Sequence, residues 1–163
     1  MSIRKYLRAL LITLLTAGYT VQLSAQDLDV SSYHAAICQG NGKFHEDRLK
    51  VNETGISNKS SSDAIWVTCP VPARIFDSPF TISYVSLLLT NSGDVARKVT
   101  CILDGGDMTG AITSQSRTGT VDPSDISELD WEFSDGALAV ASVRCKLPPN
   151  AGLAAFIIGS GSL

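Results

Sequence analysis

Acidic side chains are concentrated between Arg117 and Arg144, a stretch that contains no lysine or arginine. Calcium takes several oxygen ligands, and an acidic loop near a strand end can supply them. A calcium site in this stretch would use the following side chains: Asp122, Asp125, Glu128 and Asp130. Their spacing does not match the EF-hand loop. The alternative interpretation is a solvated acidic loop followed by the solvent-exposed face of a strand, with no cofactor.

Paired carboxylates could also cleave a glycosidic bond, which two acids about 5–10 Å apart would flank. The chain has 16 acidic residues, so some pair at that distance is expected by chance. Serine catalysis has less support, since the chain has only two histidines, His34 and His45, and no Gly-x-Ser-x-Gly elbow. We expect both histidines at the surface. The sequence assigns no catalytic residue.

Trp66 is the aromatic residue whose position could serve a ligand. It alternates with Ile65, Val67 and Cys69 in a run rich in branched side chains. If those three residues face the core, Trp66 faces solvent and could stack on a sugar or a partner. If the strand is buried on both faces, Trp66 packs in the core, as most strand aromatics do. The sequence leaves both interpretations open.

Four cysteines follow the first 25 residues, with spacings of 31, 32 and 44 residues. No Cys-x-x-Cys pair is present, which argues against a zinc knuckle or a redox site. An even number in an exported chain predicts two disulfides, and three pairings are allowed. We favour Cys38–Cys69 and Cys101–Cys145, because Cys101 and Cys145 both lie inside strand patterns that would suit neighbouring or facing strands.

Residues 1–25 have the features of a secretory signal peptide. Three basic residues precede the apolar stretch Ala9–Ala17, and small residues lead to Ala25. We expect cleavage after Ala25, a single domain at 26–163, and export to the periplasm or the medium. The apolar stretch is shorter than the roughly 20 residues that span a bilayer. No later segment is long and apolar enough to do so, so we expect no transmembrane segment in the mature chain.

Removing residues 1–25 changes the net charge from −3 to −6. An acidic chain without a basic stripe argues against nucleic acid as a partner. The remaining composition, 44% hydrophobic and 18% charged, is that of a globular protein and excludes a disordered chain.

Short segments of alternating hydrophobicity, separated by turn residues, predict seven or eight strands. Thr81–Thr90 is apolar on both faces, which predicts a central strand, and a turn after it predicts a hairpin with Val95–Leu103. Pro70 is expected to end the strand that carries Trp66. The fold class predicted is all-β, an antiparallel β-sandwich of jelly-roll or immunoglobulin-like topology with two disulfides.

Four short motifs resemble a loose group of uncharacterised exported bacterial proteins: Gly55–Asn58, Val67–Pro72, Val99–Leu103 and Val143–Pro148. In that group a Gly-x-x-Asn segment precedes a Cys-Pro strand end, and a Cys-x-Leu-Pro strand lies near the C-terminus. The resemblance implies a small disulfide-bonded β domain at the bacterial envelope or outside the cell. It implies no activity and no catalytic residue.

The function predicted is therefore a non-catalytic exported domain with a binding or structural role. Its partner is unassigned, with carbohydrate or an envelope protein as candidates. The alternative is a small secreted glycoside hydrolase that uses two carboxylates. An exposed aromatic patch would favour binding, whereas a cleft with two close acids would favour the enzyme.

Overall fold

The computed structural model describes residues 29–71, 81–106, 109–133 and 138–161; the predicted signal peptide, 1–25, lies outside them. The described residues contain a 3-10 turn, Ala35–Ile37, and one short helix, α1, Lys43–Glu46. They also contain these strands: β1 Asp29–His34, β2 Gln39–Gly40, β3 Leu49–Asn52, β4 Gly55–Asn58, β5 Ile65–Val71, β6 Thr81–Asn91, β7 Arg97–Gly106, β8 Ile112–Val121, β9 Ile126–Glu132, β10 Val140–Leu147 and β11 Ala151–Gly161. No helix in these ranges is long and apolar enough to cross a membrane.

The strands β4 to β11 form one long antiparallel ribbon that folds back between β7 and β8. Along the ribbon β7 pairs with β8, β6 with β9, β5 with β10 and β4 with β11. The ribbon then wraps so that β11 also pairs with β6, and β10 with β7. This wrapping gives sheet A, in the order β3-β4-β11-β6-β9 with β1 also on β11, and sheet B, β2-β5-β10-β7-β8. The predicted antiparallel sandwich is confirmed, and its topology is the jelly roll.

The predicted hairpin between Thr81–Thr90 and Val95–Leu103 is wrong. β6 pairs with β11 and β9 in sheet A, whereas β7 lies in sheet B between β10 and β8. Both strands carry a fully buried apolar row, including Leu87 on β6 and Val99 on β7. Two such rows are buried most completely when they face each other from opposite sheets, so the turn carries the chain across the sandwich instead of closing a hairpin.

The core lies between the two sheets, where every second residue of each strand points inward. Its largest fully buried side chains include Trp131 on β9 and Phe156 on β11. Tyr33 of β1 stacks on Phe156, with 5.3 Å between ring centroids, and so closes the core beneath β1. Burying each such large side chain contributes about 1.5–3 kcal/mol, so this interior is the main source of stability.

Both disulfides lie on the inner face of sheet B and join neighbouring strands. Cys101 and Cys145 are direct partners across β7 and β10, and Cys38 precedes β2 in register opposite Cys69 of β5. The prediction of two disulfides is confirmed, and the structure has the pairing that the sequence favoured. Closing loops of 31 and 44 residues stabilises the fold by about 3–4 kcal/mol per bridge in the chain-entropy model.

Pro70 does not end β5, which continues to Val71 with Pro70 opposite Ser142 of β10. β2 pairs with β5 only at Val67 and Thr68. Within the described residues, β5 is therefore an edge strand at Pro70, where a missing N–H donor is tolerated.

Gly55, at the start of β4, adopts φ +132°, and a Cβ there would collide with the carbonyl oxygen of Leu153. We expect Gly55→Ala to lower the free energy of unfolding by more than about 3 kcal/mol, since it adds both backbone strain and a clash with β11. Gly110, at φ +85° with open space around it, is the matched control, and Gly110→Ala should cost only about 1–2 kcal/mol. Urea unfolding of both variants measures the difference, and equal losses would contradict the packing of β4 on β11.

Candidate functional site

Trp66 projects from the outer face of sheet B. Its neighbours Ile65 and Val67 are fully buried, whereas Trp66 itself is half-buried. The interpretation that β5 is buried on both faces is therefore wrong, because the outer face of sheet B has no further layer among the described residues. Trp66 is thus a half-buried aromatic side chain on the outer face, at one end of that sheet.

The helix α1 holds the chain next to Trp66 in place. The backbone N–H of Trp66 donates to His45 Nδ1 at 3.4 Å, and its carbonyl accepts from Asn41 N–H at 2.9 Å. Phe44 of α1 is half exposed, and the Arg48 guanidinium lies 3.6 Å from its ring centroid. The helix α1 therefore carries a second aromatic side chain, next to His45, although the short polar run around it gave no helical signal in the sequence.

The outer face of sheet B beyond Trp66 is polar. Lys146 is the direct partner of Trp66 on β10, and Thr100 follows it on β7. Thr100 and Thr118 of β8 share a hydrogen bond of 2.9 Å between their hydroxyl oxygens. We call this surface the Trp66 face, defined by these side chains: Trp66, Thr68, Thr100, Ile102, Asp104, Ser114, Ser116, Thr118, Arg144 and Lys146. Most of its members offer hydrogen-bonding groups at fixed positions on a rigid sheet.

Arg144 and Asp104 form a charge-assisted hydrogen bond on the Trp66 face. Arg144 Nε donates to Asp104 Oδ2 at 2.7 Å, and the Ser114 hydroxyl donates to Asp104 Oδ1 at 2.8 Å. The Arg144 hydrogen bond lowers the pKa of Asp104, and Asp104 raises the pKa of Arg144. Both groups thus stay charged and oriented across β10, β7 and β8.

The structure spreads the four acids considered for calcium over β9 and the turn before it. Glu128 and Asp130 point outward from β9, while Asp122 and Asp125 lie in the exposed turn before it. Glu128 and Asp130 come close enough to share the Tyr84 hydroxyl, but Asp122 and Asp125 take no part in that contact. No three His, Cys, Asp or Glu side chains within the described residues are grouped so that they could hold a metal ion.

Glu128 and Asp130 instead form a hydrogen-bonded cluster with Tyr84 and Ser86 of β6. The Tyr84 hydroxyl lies 3.2 Å from Glu128 Oε1 and 3.0 Å from Asp130 Oδ1, and the buried Ser86 hydroxyl donates to Glu128 Oε1 at 2.6 Å. Burial raises the pKa of Tyr84, the two carboxylates raise it further, and Ser86 opposes them. The cluster lies on sheet A, on the opposite side of the sandwich from Trp66.

Of the two histidines, His34 is exposed and His45 is half-buried. His34 Nδ1 accepts from Ala36 N–H at 3.1 Å, and its Nε2 lies 2.8 Å from the carbonyl oxygen of Glu53. Its ring therefore ties β1 to the turn between β3 and β4. His45 has the structural role beside Trp66 described above. Within the part of the chain that the structure describes, neither ring hydrogen-bonds to a serine or a carboxylate.

No family model matches this chain, and no curated protein matches its sequence. Among solved structures, the chain is similar to a carbohydrate-binding module of a glycoside hydrolase family 9 enzyme from Ruminococcus flavefaciens, with a TM-score of 0.49 and 8% identity over 82% of this chain and 99% of that one. A low-affinity xylan-binding module from Roseburia intestinalis gives 0.45 and 12% over 80% and 94%.

An exo-β-1,3-galactanase from Phanerochaete chrysosporium gives a TM-score of 0.45 and 14% identity over 80% of this chain. The chain spans only 29% of that enzyme's length. At these identities and TM-scores none of the matches assigns a ligand to this chain.

The pKa of Asp104 depends on Arg144, and the dependence can be measured. Because folding lowers this pKa, the pair stabilises the fold at pH values above the ordinary pKa range of a carboxyl group. That stabilisation is lost as the pH falls through the pKa of Asp104 in the folded state. In the variant Arg144→Met we expect the pKa of Asp104 to rise toward its ordinary value in a carbon-detected NMR titration. Asp94→Asn, in the exposed turn after β6, is the control that leaves it unchanged; an unchanged pKa in Arg144→Met would refute the pair.

The raised pKa of Tyr84 has the opposite consequence for stability. A phenol whose pKa is higher in the folded state stabilises the fold below about pH 10 and loses that effect as the pH rises further. In residues 26–163 the variant Tyr33→Phe leaves Tyr84 as the single tyrosine. We expect its ultraviolet titration to shift to lower pH when Asp130→Asn is added. No shift would mean that the carboxylate is not near the phenol.

Proposed function

We propose that this protein is an exported, non-catalytic domain that binds carbohydrate on the Trp66 face, at the bacterial envelope or outside the cell. The observation that carries the proposal is the outward position of Trp66 beside a row of oriented polar side chains. The two disulfides support export, because such bonds persist in oxidising compartments.

A saccharide ring has an apolar C–H face and a rim of hydroxyl groups. The C–H face stacks on the plane of an aromatic side chain, and the sugar hydroxyls form hydrogen bonds with hydroxyl, carboxylate and guanidinium groups. The Trp66 face offers both, since Lys146 is adjacent to Trp66, Arg144 lies one outward row farther along the sheet, and Asp104 lies in the row after that. Fixed partners of this kind suit a ligand that is recognised by hydrogen-bond direction.

A protein partner has less support on this surface. The core of a protein interface is depleted of charged residues, whereas Asp104, Arg144 and Lys146 lie on the two central strands of the Trp66 face, β7 and β10. An extended saccharide needs no such apolar core, because it exchanges hydrogen bonds with water for hydrogen bonds with the sheet. Carbohydrate therefore fits the chemistry of this face better than an envelope protein does.

The non-catalytic part of the proposal rests on the placement of the acids. Asp104 is paired with Arg144, and Glu128 and Asp130 share the Tyr84 hydroxyl on the other sheet. A glycoside hydrolase needs two carboxylates on either side of the bound bond. Glu128 and Asp130, which share one hydroxyl, thus lie on the opposite sheet from the aromatic side chain that we propose holds the sugar.

The proposal is tested with the oxidised protein of residues 26–163 against a panel of neutral and acidic polysaccharides, by affinity electrophoresis and then by calorimetry. We expect at least one polysaccharide to bind, and Trp66→Ala to weaken binding about tenfold or more because it removes the stacking surface. Trp66→Tyr should retain part of the affinity. The control Val95→Ala removes another exposed apolar side chain, in the turn after β6, and should bind as the wild type does.

Two results would contradict the proposal. Equal binding by Trp66→Ala and Val95→Ala would remove the Trp66 face from the interaction. Release of reducing ends from a bound polysaccharide, abolished by Glu128→Gln or Asp130→Asn, would favour the hydrolase.

A further inference from the structure

A groove of about 310 Å³ crosses the outer face of sheet A near the start of β11. It follows one row of paired residues across five strands: Lys50, Ser57, Gly152, Thr90 and Ile126. Its volume is at the lower end of the range for small-molecule sites, about 300–1,000 Å³. The groove lies on the opposite sheet from Trp66, and the proposed function makes no use of it.

Because Gly152 has no side chain, the outer surface of sheet A has a depression in the middle of this row. A Cβ at this position would lie 2.7 Å from Thr90 Oγ1 and 3.2 Å from Ser57 Cβ, and it would collide with the carbonyl oxygen of Ile56. The absence of a side chain leaves a gap between the side chains of Ser57 and Thr90. Glycine in a strand interior often marks such a close approach.

Three loops form one wall of the groove, and buried hydrogen bonds fix them to each other. The Asn91 side chain, 3% exposed, donates to the carbonyls of Val95 and Val121 and accepts from Gly93 N–H. The backbone of Asn91 also accepts from Ser124 N–H at 3.0 Å. A wall built in this way loses little conformational freedom when a ligand binds.

The turns of the wall fix two of its side chains. Within the described residues, Ser124 and Asn150 are the non-glycine residues with positive φ, at 58° and 66°, and both line the groove. Each is the third residue of a hydrogen-bonded turn, Asp122–Asp125 and Pro148–Ala151. Turns of this kind favour asparagine and tolerate serine, and they hold both side chains at the rim of the groove.

The side chains around the groove have unused hydrogen-bonding capacity. Ser57, Thr90, Ser124 and Asn150 make no side-chain hydrogen bond to any other described residue, whereas Asn91 behind them is fully engaged. Lys50 and Asp125 supply one charge of each sign, and the other lining residues are neutral. Ile126, 60% exposed, adds an aliphatic surface at one end.

We propose that this groove is a second binding site, which takes a short neutral saccharide through its hydroxyl and amide groups. Charge balance disfavours an anionic or cationic ligand, and hydroxyl and amide side chains match the donors and acceptors of sugar hydroxyls. No aromatic side chain lines the groove, so binding depends on hydrogen bonds and is weak, in the millimolar range.

The site is tested by NMR titration of the oxidised protein with cellobiose, maltose and lactose at tens of millimolar. We expect shifts at Ser57, Thr90, Ser124 and Asn150 with at least one disaccharide. Ser124→Gly and Asn150→Gly remove the side chains while relaxing the positive φ, so both variants keep the fold. Each should weaken binding about 2- to 10-fold, the effect of one lost hydrogen bond.

Controls separate this site from the Trp66 face. Trp66→Ala and Thr100→Val, both on sheet B, should leave the groove titration unchanged, even if the proposal for the Trp66 face fails. Thr90→Val should reduce the shifts with little change of shape. Absence of shifts at the groove with all three disaccharides, or shifts that Ser124→Gly, Asn150→Gly and Thr90→Val all leave intact, would overturn the second site.

Discussion

The register of sheet B is the constraint on which the position of Trp66 depends. Side chains alternate strictly between the two faces of a sheet, so a slip of one residue would turn Trp66 inward and Cys69 outward. The disulfides Cys38–Cys69 and Cys101–Cys145 prevent such a slip, because each joins partners on neighbouring strands of that sheet. The covalent bonds and the buried apolar rows thus fix one and the same register, and the polar outer face follows from it.

The wrapped ribbon also separates the two outer faces by charge. Sheet A turns acids outward from β9, namely Glu128, Asp130 and Glu132. Sheet B turns mainly cations outward, namely Lys98, Arg144 and Lys146, with Asp104 paired to Arg144. The net charge of −3 for the whole chain is therefore unevenly distributed, with an acidic strand on the outer face of sheet A and mainly basic side chains on the outer face of sheet B. The two proposed sites lie on opposite faces, and one ligand molecule at the Trp66 face leaves the groove accessible.

The sequence pattern predicted those features of the fold that depend on residues close together in the chain. The alternation in β9, with Leu129 and Trp131 inward, and the strands around Cys101 and Cys145 could be recognised from the sequence. The pairing of β6 could not, because its partners β9 and β11 are distant in the chain and the turn after Asn91 suggested a hairpin. The groove was missed for the same reason: Ser57, Thr90 and Gly152 meet only through the wrapping of the ribbon, and none of them carries a motif.

Acrylamide quenching of the two tryptophans in the oxidised protein tests most directly that sheet B turns Trp66 outward. Trp131→Phe leaves the fluorescence of Trp66 alone, and Trp66→Phe leaves that of Trp131, which is fully buried. The account predicts that Trp66 is quenched readily in the folded protein, while Trp131 is protected until the protein unfolds. Equal protection of both side chains would contradict the register of sheet B and the surface derived from it.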